Sequence, residues 1–338
     1  MVKVGILGAS GYTGAELLRI CAQHPEFEVV YATGDSQSGT LASSLYPSLA
    51  VAYPNLVFEE FDVSRTSGLD VVFLGLPHEA SMALAPQLVG KVGCIVDLSA
   101  AYRLKDASLY PTWYGFEHDQ PELLAEAVYG LPELYRSELK GARLIATPGC
   151  YVTAASLALA PLIRQEFIQS SGIVVDAASG VSGAGRALKH SSHFSTVDED
   201  FTAYGLVDHR HTPEIEQNIG GQVIFTPHLA PMNRGILATC YARPTGDVST
   251  EALLAALGRF YESEPFVVVR PASPSTKATL GTNSVHLTAR FDARTGWVMV
   301  IAAIDNLCKG ASGGAVQAAN VALGLRETAG LQTVGVYP

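Results

Sequence analysis

The residues with the most chemical potential sit in three short stretches. In TPGCYVTAASLALAPLI, residues 147–163, one cysteine stands directly before a long run of good helix formers. A thiol at a helix N-terminus feels the positive end of the helix dipole; its pKa falls, and the thiolate is the nucleophilic form. Cys150 is therefore the candidate nucleophile. Cys21 falls in a helical pattern and Cys94 and Cys240 in strand-like runs, so Cys308 in DNLCKGASGG is the one rival. A thiolate needs a proton carrier. YGLVDHRHTPEIEQ, residues 204–217, offers His209 and His211 on either side of Arg210, just before a helix start. One histidine could pass protons while Arg210 holds an anion. The same spacing, like His190 and His193 in HSSH, also suits a metal pair. Without HExxH or CxxC, no metal site is expected. GASGG, residues 310–314, matches the Gly-x-Ser-x-Gly turn of a serine hydrolase, which needs its histidine later in the chain. The last histidine is His286, so Ser312 is set aside and a glycine-rich turn feeding a helix is expected.

The elements that would position these groups follow an alternating pattern. An apolar strand from Val2 to Leu7 runs into Gly8-Ala-Ser-Gly11-Tyr-Thr-Gly14, then a helix with Leu17, Leu18 and Cys21, then a strand from Phe27 to Ala32. This is a dinucleotide-binding βαβ unit in its GxxGxxG variant. Gly8 permits the tight turn, Gly11 lets main chain approach a pyrophosphate, and Gly14 lets the helix pack on the sheet. LDVVFLGLP (69–77) and GCIVDLSA (93–100) read as buried parallel strands, with HEASMALAPQLV as a helix between them. The alternation indicates a doubly wound sheet. Loops at the strands' carboxyl ends carry Arg103, which could bind an anion or make a surface ion pair.

At 338 residues the chain is long enough for two domains, and 48% hydrophobic against 16% charged residues allow a large core. The net charge of −10 excludes a general nucleic-acid binder, so an anionic substrate must be met by a few gathered arginines. No apolar run is long enough to span a bilayer, and the start reads as a buried strand rather than a signal peptide. Five cysteines with no CxxC pair suit a reducing cytoplasm.

Taken in order, GILGASGYTGAELLR, GLPHEAS, VDLSAAYRLKD, YGLPELYR, TPGCYVTAASLALAPL, SGVSGAGR, HRHTPEIEQ, MNRGILATCYA and IDNLCKGASGGAVQAANV cover nearly the whole chain. The set closely resembles the N-acetyl-gamma-glutamyl-phosphate reductases of arginine biosynthesis. The resemblance implies an α/β plus α+β chain: a Rossmann domain of residues 1–149 and 306–338, and a mixed-sheet catalytic and dimerisation domain of residues 150–305. It implies Cys150 as nucleophile and His211 as acid/base. Gly8, Ser10, Gly11, Tyr12, Thr13, Gly14, Ser182, Gly183 and Asn306 would line NADP(H). Arg103, Arg186 and Arg210 would surround a small-molecule acyl phosphate. A homodimer or homotetramer is implied, with no nucleic-acid, membrane or metal partner. The implied reaction is reductive dephosphorylation to N-acetyl-L-glutamate 5-semialdehyde through a Cys150 thioester. The alternatives are a related aspartyl- or aminoadipyl-phosphate reductase, or a nucleotide-sensing regulator without catalysis. Two departures stand out. Asp35 in TGDSQSG lies where the family often carries a basic residue, so a 2′-phosphate would rely on Thr33, Ser36 and Ser38. Val152 replaces a common proline and is expected to matter little.

Overall fold

A computed structural model describes residues 1–338, apart from the side chain of Ser191. The chain divides into two compact units, residues 1–148 with 311–331, and residues 149–310 with 332–338.

The first unit is a parallel sheet with helices. Its strands are β1 (Val2–Leu7), β2 (Phe27–Ala32), β3 (Val71–Leu74), β4 (Cys94–Asp97), β5 (Val128–Tyr129) and β6 (Leu144–Ala146). They lie in the order β2-β1-β3-β4-β6-β5, all parallel. β3 and β4 are buried at every residue, which is why they read as continuous apolar runs rather than alternating ones. The helices α1 (Tyr12–Cys21), α2 (His78–Leu88) and α3 (Pro132–Leu139) belong to this unit. α1 turns Leu17, Leu18 and Cys21 inward. The order reverses between β1 and β3, and the loops leaving those two strands meet: a Cβ at Gly8 would collide with the Gly75 carbonyl, and Gly8 has φ +86. Both facts require glycine there. A crevice at the carboxyl ends of diverging parallel strands is where such sheets hold ligands.

The second unit carries the long helix α4 (Cys150–Arg164), then α5 (Thr212–Ile219) and α6 (Thr250–Phe260). Its strands are β7 (Ile173–Gly180), β8 (Thr202–Ala203), β9 (Val223–Ala230), β10 (Ile236–Ala242), β11 (Val267–Val269), β12 (Val285–Asp292) and β13 (Trp297–Ile304). They form one mixed sheet in the order β11-β12-β13-β10-β7-β9-β8. α4 is buried from Tyr151 to Leu162, as befits a helix that is apolar all round. Truncating Leu157 to alanine there would cost about 2–5 kcal/mol. β7 and β10 alternate between buried and half-buried residues. One sheet face therefore joins the core, while Val174, Leu237, Tyr241, Met299 and Ile301 line a second, half-buried face.

The last helix, α7 (Gly313–Ala322), rejoins the first unit. Ser312 Oγ donates to the Thr13 carbonyl at 2.8 Å, and Asn320 Oδ1 lies 3.0 Å from His24 Nε2. The boundaries differ from the expected ones. Residues 306–310 stay with the second unit because Asn306 is bonded to Ser182 and to the Gly235 N–H. Residues 332–338 also stay there, tied by Asn283 N–H to the Gln332 carbonyl and by Val336 N–H to the Leu280 carbonyl.

Candidate active site

Cys150 is the first residue of α4, and Gly149 before it provides no side-chain cap. It is half-buried, whereas Cys21, Cys94, Cys240 and Cys308 are buried. Burial pushes the Cys21, Cys94 and Cys240 thiols up to about 12, so these three are inert near neutral pH. The Gly149 N–H donates to Glu214 Oε1 at 3.0 Å. His211, only 8% exposed, caps α5, and its imidazole lies over Gly149. A Cβ at Gly149 would stand 2.5 Å from His211 Nε2, and a Cβ at Gly310 would stand 3.0 Å from Cys150 Cβ. Two glycines thus leave room for the imidazole on one side of Cys150 and for the turn at Gly310 on the other.

His209 has a different setting. Its Nδ1 accepts the His211 main-chain N–H at 3.1 Å. Its ring packs edge-on against Tyr151, Tyr204, Phe225 and His211. Burial, helped by the neighbouring Arg210 charge, pushes it down to about 4. A histidine held neutral with Nδ1 as acceptor is a poor proton carrier near pH 7. Tyr151 Oη donates to the His228 carbonyl at 2.9 Å and accepts from Tyr204 Oη at 3.2 Å. Burial raises both phenols, so they remain protonated.

The other expected positions fall into separate groups. Asn306 Nδ2 donates to Ser182 Oγ at 3.0 Å, and Gly183 packs closely on Ser179, where a Cβ would stand 3.0 Å from its Oγ and 3.8 Å from Asn306 Nδ2. Asp305, fully buried, pairs with Arg234 at 3.0 Å and accepts the Leu307 and Cys308 N–H groups, which fixes the turn leading to Gly310. In the first unit, a Cβ at Gly14 would collide with the Ala9 main chain, whereas one at Gly11 would meet only the Gly8 carbonyl at 3.6 Å. Gly14 thus serves packing and Gly11 leaves open space beside the main chain. α1 begins without a side-chain cap, so its N-terminal N–H groups suit a pyrophosphate. Ser10 Oγ donates to the Gly34 carbonyl, while Tyr12 and Ser36 are exposed. Thr33 is turned inward, accepting the Gly8 N–H at 3.1 Å. Among the arginines, Arg103 is buried, donating to the Leu98 and Thr147 carbonyls at 2.9 and 2.7 Å. Arg186 is half-buried and Arg210 exposed.

Sequence reading passed over Glu214, Tyr151 and Tyr204. A signal existed for Glu214, three residues after His211 at a helix start and hence on the same face.

The description "Semialdehyde dehydrogenase, NAD binding domain" matches residues 3–142, and "Semialdehyde dehydrogenase, dimerisation domain" matches residues 150–306. An N-acetyl-gamma-glutamyl-phosphate reductase of Symbiobacterium thermophilum is 49% identical across 100% of this chain and 99% of its own. One of Citrifermentans bemidjiense is 48% identical across 100% of both. The fold is shared with aspartate semialdehyde dehydrogenase II of Vibrio cholerae, at TM-score 0.70 and 16% identity over 95% of this chain and 98% of that one. It is also shared with the Candida albicans aspartate semialdehyde dehydrogenase solved with NADP, at TM-score 0.69 and 15% identity over the same shares. The chain belongs to the N-acetyl-gamma-glutamyl-phosphate reductase family.

Proposed function

We propose that this chain catalyses the NADPH-dependent reductive dephosphorylation of N-acetyl-L-glutamyl 5-phosphate to N-acetyl-L-glutamate 5-semialdehyde. The observation that carries the reading is the pairing at Gly149: the half-buried thiol of five stands at a helix N-terminus beside the His211 imidazole. His211 Nε2 takes the Cys150 proton, and the thiolate attacks the acyl carbon. The bond from that carbon to the phosphate oxygen breaks, the phosphate departs with the proton, and a Cys150 thioester remains. NADPH, when bound, supplies hydride to this carbon. Collapse of the resulting thiohemiacetal oxyanion re-forms the carbonyl as aldehyde and breaks the C–S bond, while His211 returns a solvent-derived proton to sulfur. Covalent capture keeps the carbon activated after phosphate has gone.

Gly8, Ser10, Gly11, Tyr12, Thr13 and Gly14 would hold the pyrophosphate end of the cofactor, with Ser36 near the ribose phosphate and Ser182, Gly183 and Asn306 toward the nicotinamide. Arg210, beside His211 in the chain, is the substrate's first anion partner, with Arg103 and Arg186 as further contacts. We read the half-buried sheet face around Tyr241 and Met299 as the contact between copies in a homodimer or homotetramer. Among the described residues no helix is long and apolar enough to cross a membrane, and we place the enzyme in the cytoplasm. The test is a panel of semialdehydes with phosphate and NADP, run in the oxidative direction. The N-acetylglutamate semialdehyde should give the highest kcat/KM. A higher value for the aspartate or aminoadipate semialdehyde would move the chain to a sister activity.

A further inference from the structure

His211 sits at the end of a short loop that needs an anchor. Between Tyr204 and His211 the chain has no strand or helix. Val207 is 76% exposed and has φ 61, a left-handed conformation that a β-branched residue adopts only under constraint. Gly205 turns with φ 55 and packs beside the His209 ring, where a Cβ would lie 3.1 Å away. The loop thus folds back on His209, whose Nδ1 receives the His211 N–H at 3.1 Å.

At its far end stands Tyr204, which touches both halves of the site. Its ring meets the His209 ring at 5.6 Å between centroids. Its hydroxyl donates to Tyr151 Oη at 3.2 Å, and Tyr151 follows Cys150 in α4. Tyr151 in turn is fixed to β9 through the His228 carbonyl, and its ring lies against both His209 and His211. The path from the phenol therefore runs two ways: through Tyr151 to the nucleophile's turn, and through His209 to the His211 main chain.

We propose that Tyr204 is a positioning residue, whose hydroxyl latches the strained loop onto Tyr151 and so holds the His211 imidazole against the Cys150 end of α4. The inference rests on the reading of Cys150 and His211 as nucleophile and proton carrier, and it adds a residue outside the reacting groups.

The test uses the whole enzyme and two readouts: the pH dependence of Cys150 alkylation by iodoacetamide, and steady-state kinetics. Tyr204→Phe removes only the hydroxyl. It should lower kcat about three- to tenfold, the worth of one hydrogen bond. It should leave KM for NADPH unchanged and move the alkylation profile upward by about half a pH unit. Tyr151→Phe should act in the same direction, and the double variant should be no worse than the more damaging single one, since both break one link. A structural role alone would lower the melting temperature without moving the alkylation profile. His211→Asn is the reference. If it shifts the profile and Tyr204→Phe does not, the latch is overturned while the site reading stands. If His211→Asn leaves the profile unmoved, the assignment of His211 fails and takes the latch with it.

Discussion

At Gly8–Gly14 the first unit works with main chain, and at Gly149–Tyr151 the second works with side chains. The glycine turn exposes N–H groups at the uncapped start of α1 and relies on the absence of side chains. The start of α4 is also uncapped, yet the groups around it come from far away: Glu214, His211, Tyr204 and Gly310. One helix N-terminus thus presents bare main chain, and the other is surrounded by side chains. The helix dipole is common to both; what differs is whether the first residue carries chemistry.

The largest effect belongs to the side chains of the second unit. Cys150→Ser should lower turnover by about 10³-fold or more, because a hydroxyl at that position has no comparable anion to offer. NADPH binding, followed by quenching of protein fluorescence, should be unchanged. His211→Asn should cost about 10²–10⁴-fold in kcat, and His209→Asn distinctly less. If His209→Asn is the more damaging of the two, the roles given to these neighbours are reversed.

The main-chain site predicts a different pattern. Gly11→Ala meets only the Gly8 carbonyl at 3.6 Å, so the folded chain accommodates it and the melting temperature should hold. The added methyl occupies the space that a pyrophosphate would approach, so KM for NADPH should rise about tenfold, the weight of 1.4 kcal/mol of lost contact. Gly14→Ala should do the opposite, since its Cβ strikes the Ala9 main chain. It should destabilise the first unit by about 1–3 kcal/mol. Equal losses of stability in the two variants would show that Gly11 is a packing glycine as well.

The same contrast governs what could be read before the fold was known. Gly8, Gly11 and Gly14 act within one turn, so their roles lie in consecutive residues and their strand and helix context. The place of Cys150 at a helix start was legible for the same reason: the helix it opens follows it directly. The Tyr204–Tyr151 bond spans 53 residues and the Glu214–Gly149 bond 65. Those contacts exist only because β9 and α5 bring their ends to the start of α4. No spacing in the sequence encodes that approach. Residues 332–338 have no periodicity at all, and main-chain hydrogen bonds, which no side-chain pattern signals, tie them to the second unit.

A pH experiment sharpens the distinction between the two histidines. Folding pushes His209 down to about 4 from its ordinary 6.5, mainly by burial. The unfolded chain therefore binds a proton between these values where the folded chain does not. Stability is full above about pH 6.5 and is lost as pH falls toward 4. The loss attributable to this one residue is on the order of 3 kcal/mol over the whole interval. His24, His118 and His286 are lowered by burial too, so the measure is a difference. Urea midpoints at pH 7 and pH 5 should fall further apart in the native chain than in His209→Asn. Equal gaps would mean that His209 takes up its proton in the folded state and is free to act as a carrier.

The smallest effect is expected at Asp35, where the cofactor's 2′-phosphate would meet a carboxylate. Asp35 is exposed and adopts φ 47, a left-handed backbone that aspartate and asparagine both tolerate. Asp35→Asn thus keeps the turn and removes only the charge. In water such a charge is screened, and an exposed pair is worth about 0.2–1 kcal/mol. The kcat/KM for NADPH should accordingly rise about two- to fivefold, and that for NADH should change little. Because Thr33 is turned inward to the Gly8 N–H, the phosphate must rely on Ser36, Ser38 and main-chain donors. Neutral donors hold a phosphate less firmly than a guanidinium does, so the native chain should prefer NADPH only modestly. Measuring both cofactors on one preparation decides it. A clear preference for NADH, lost in Asp35→Asn, would show that this carboxylate faces the ribose hydroxyls and that the main-chain site selects the unphosphorylated cofactor.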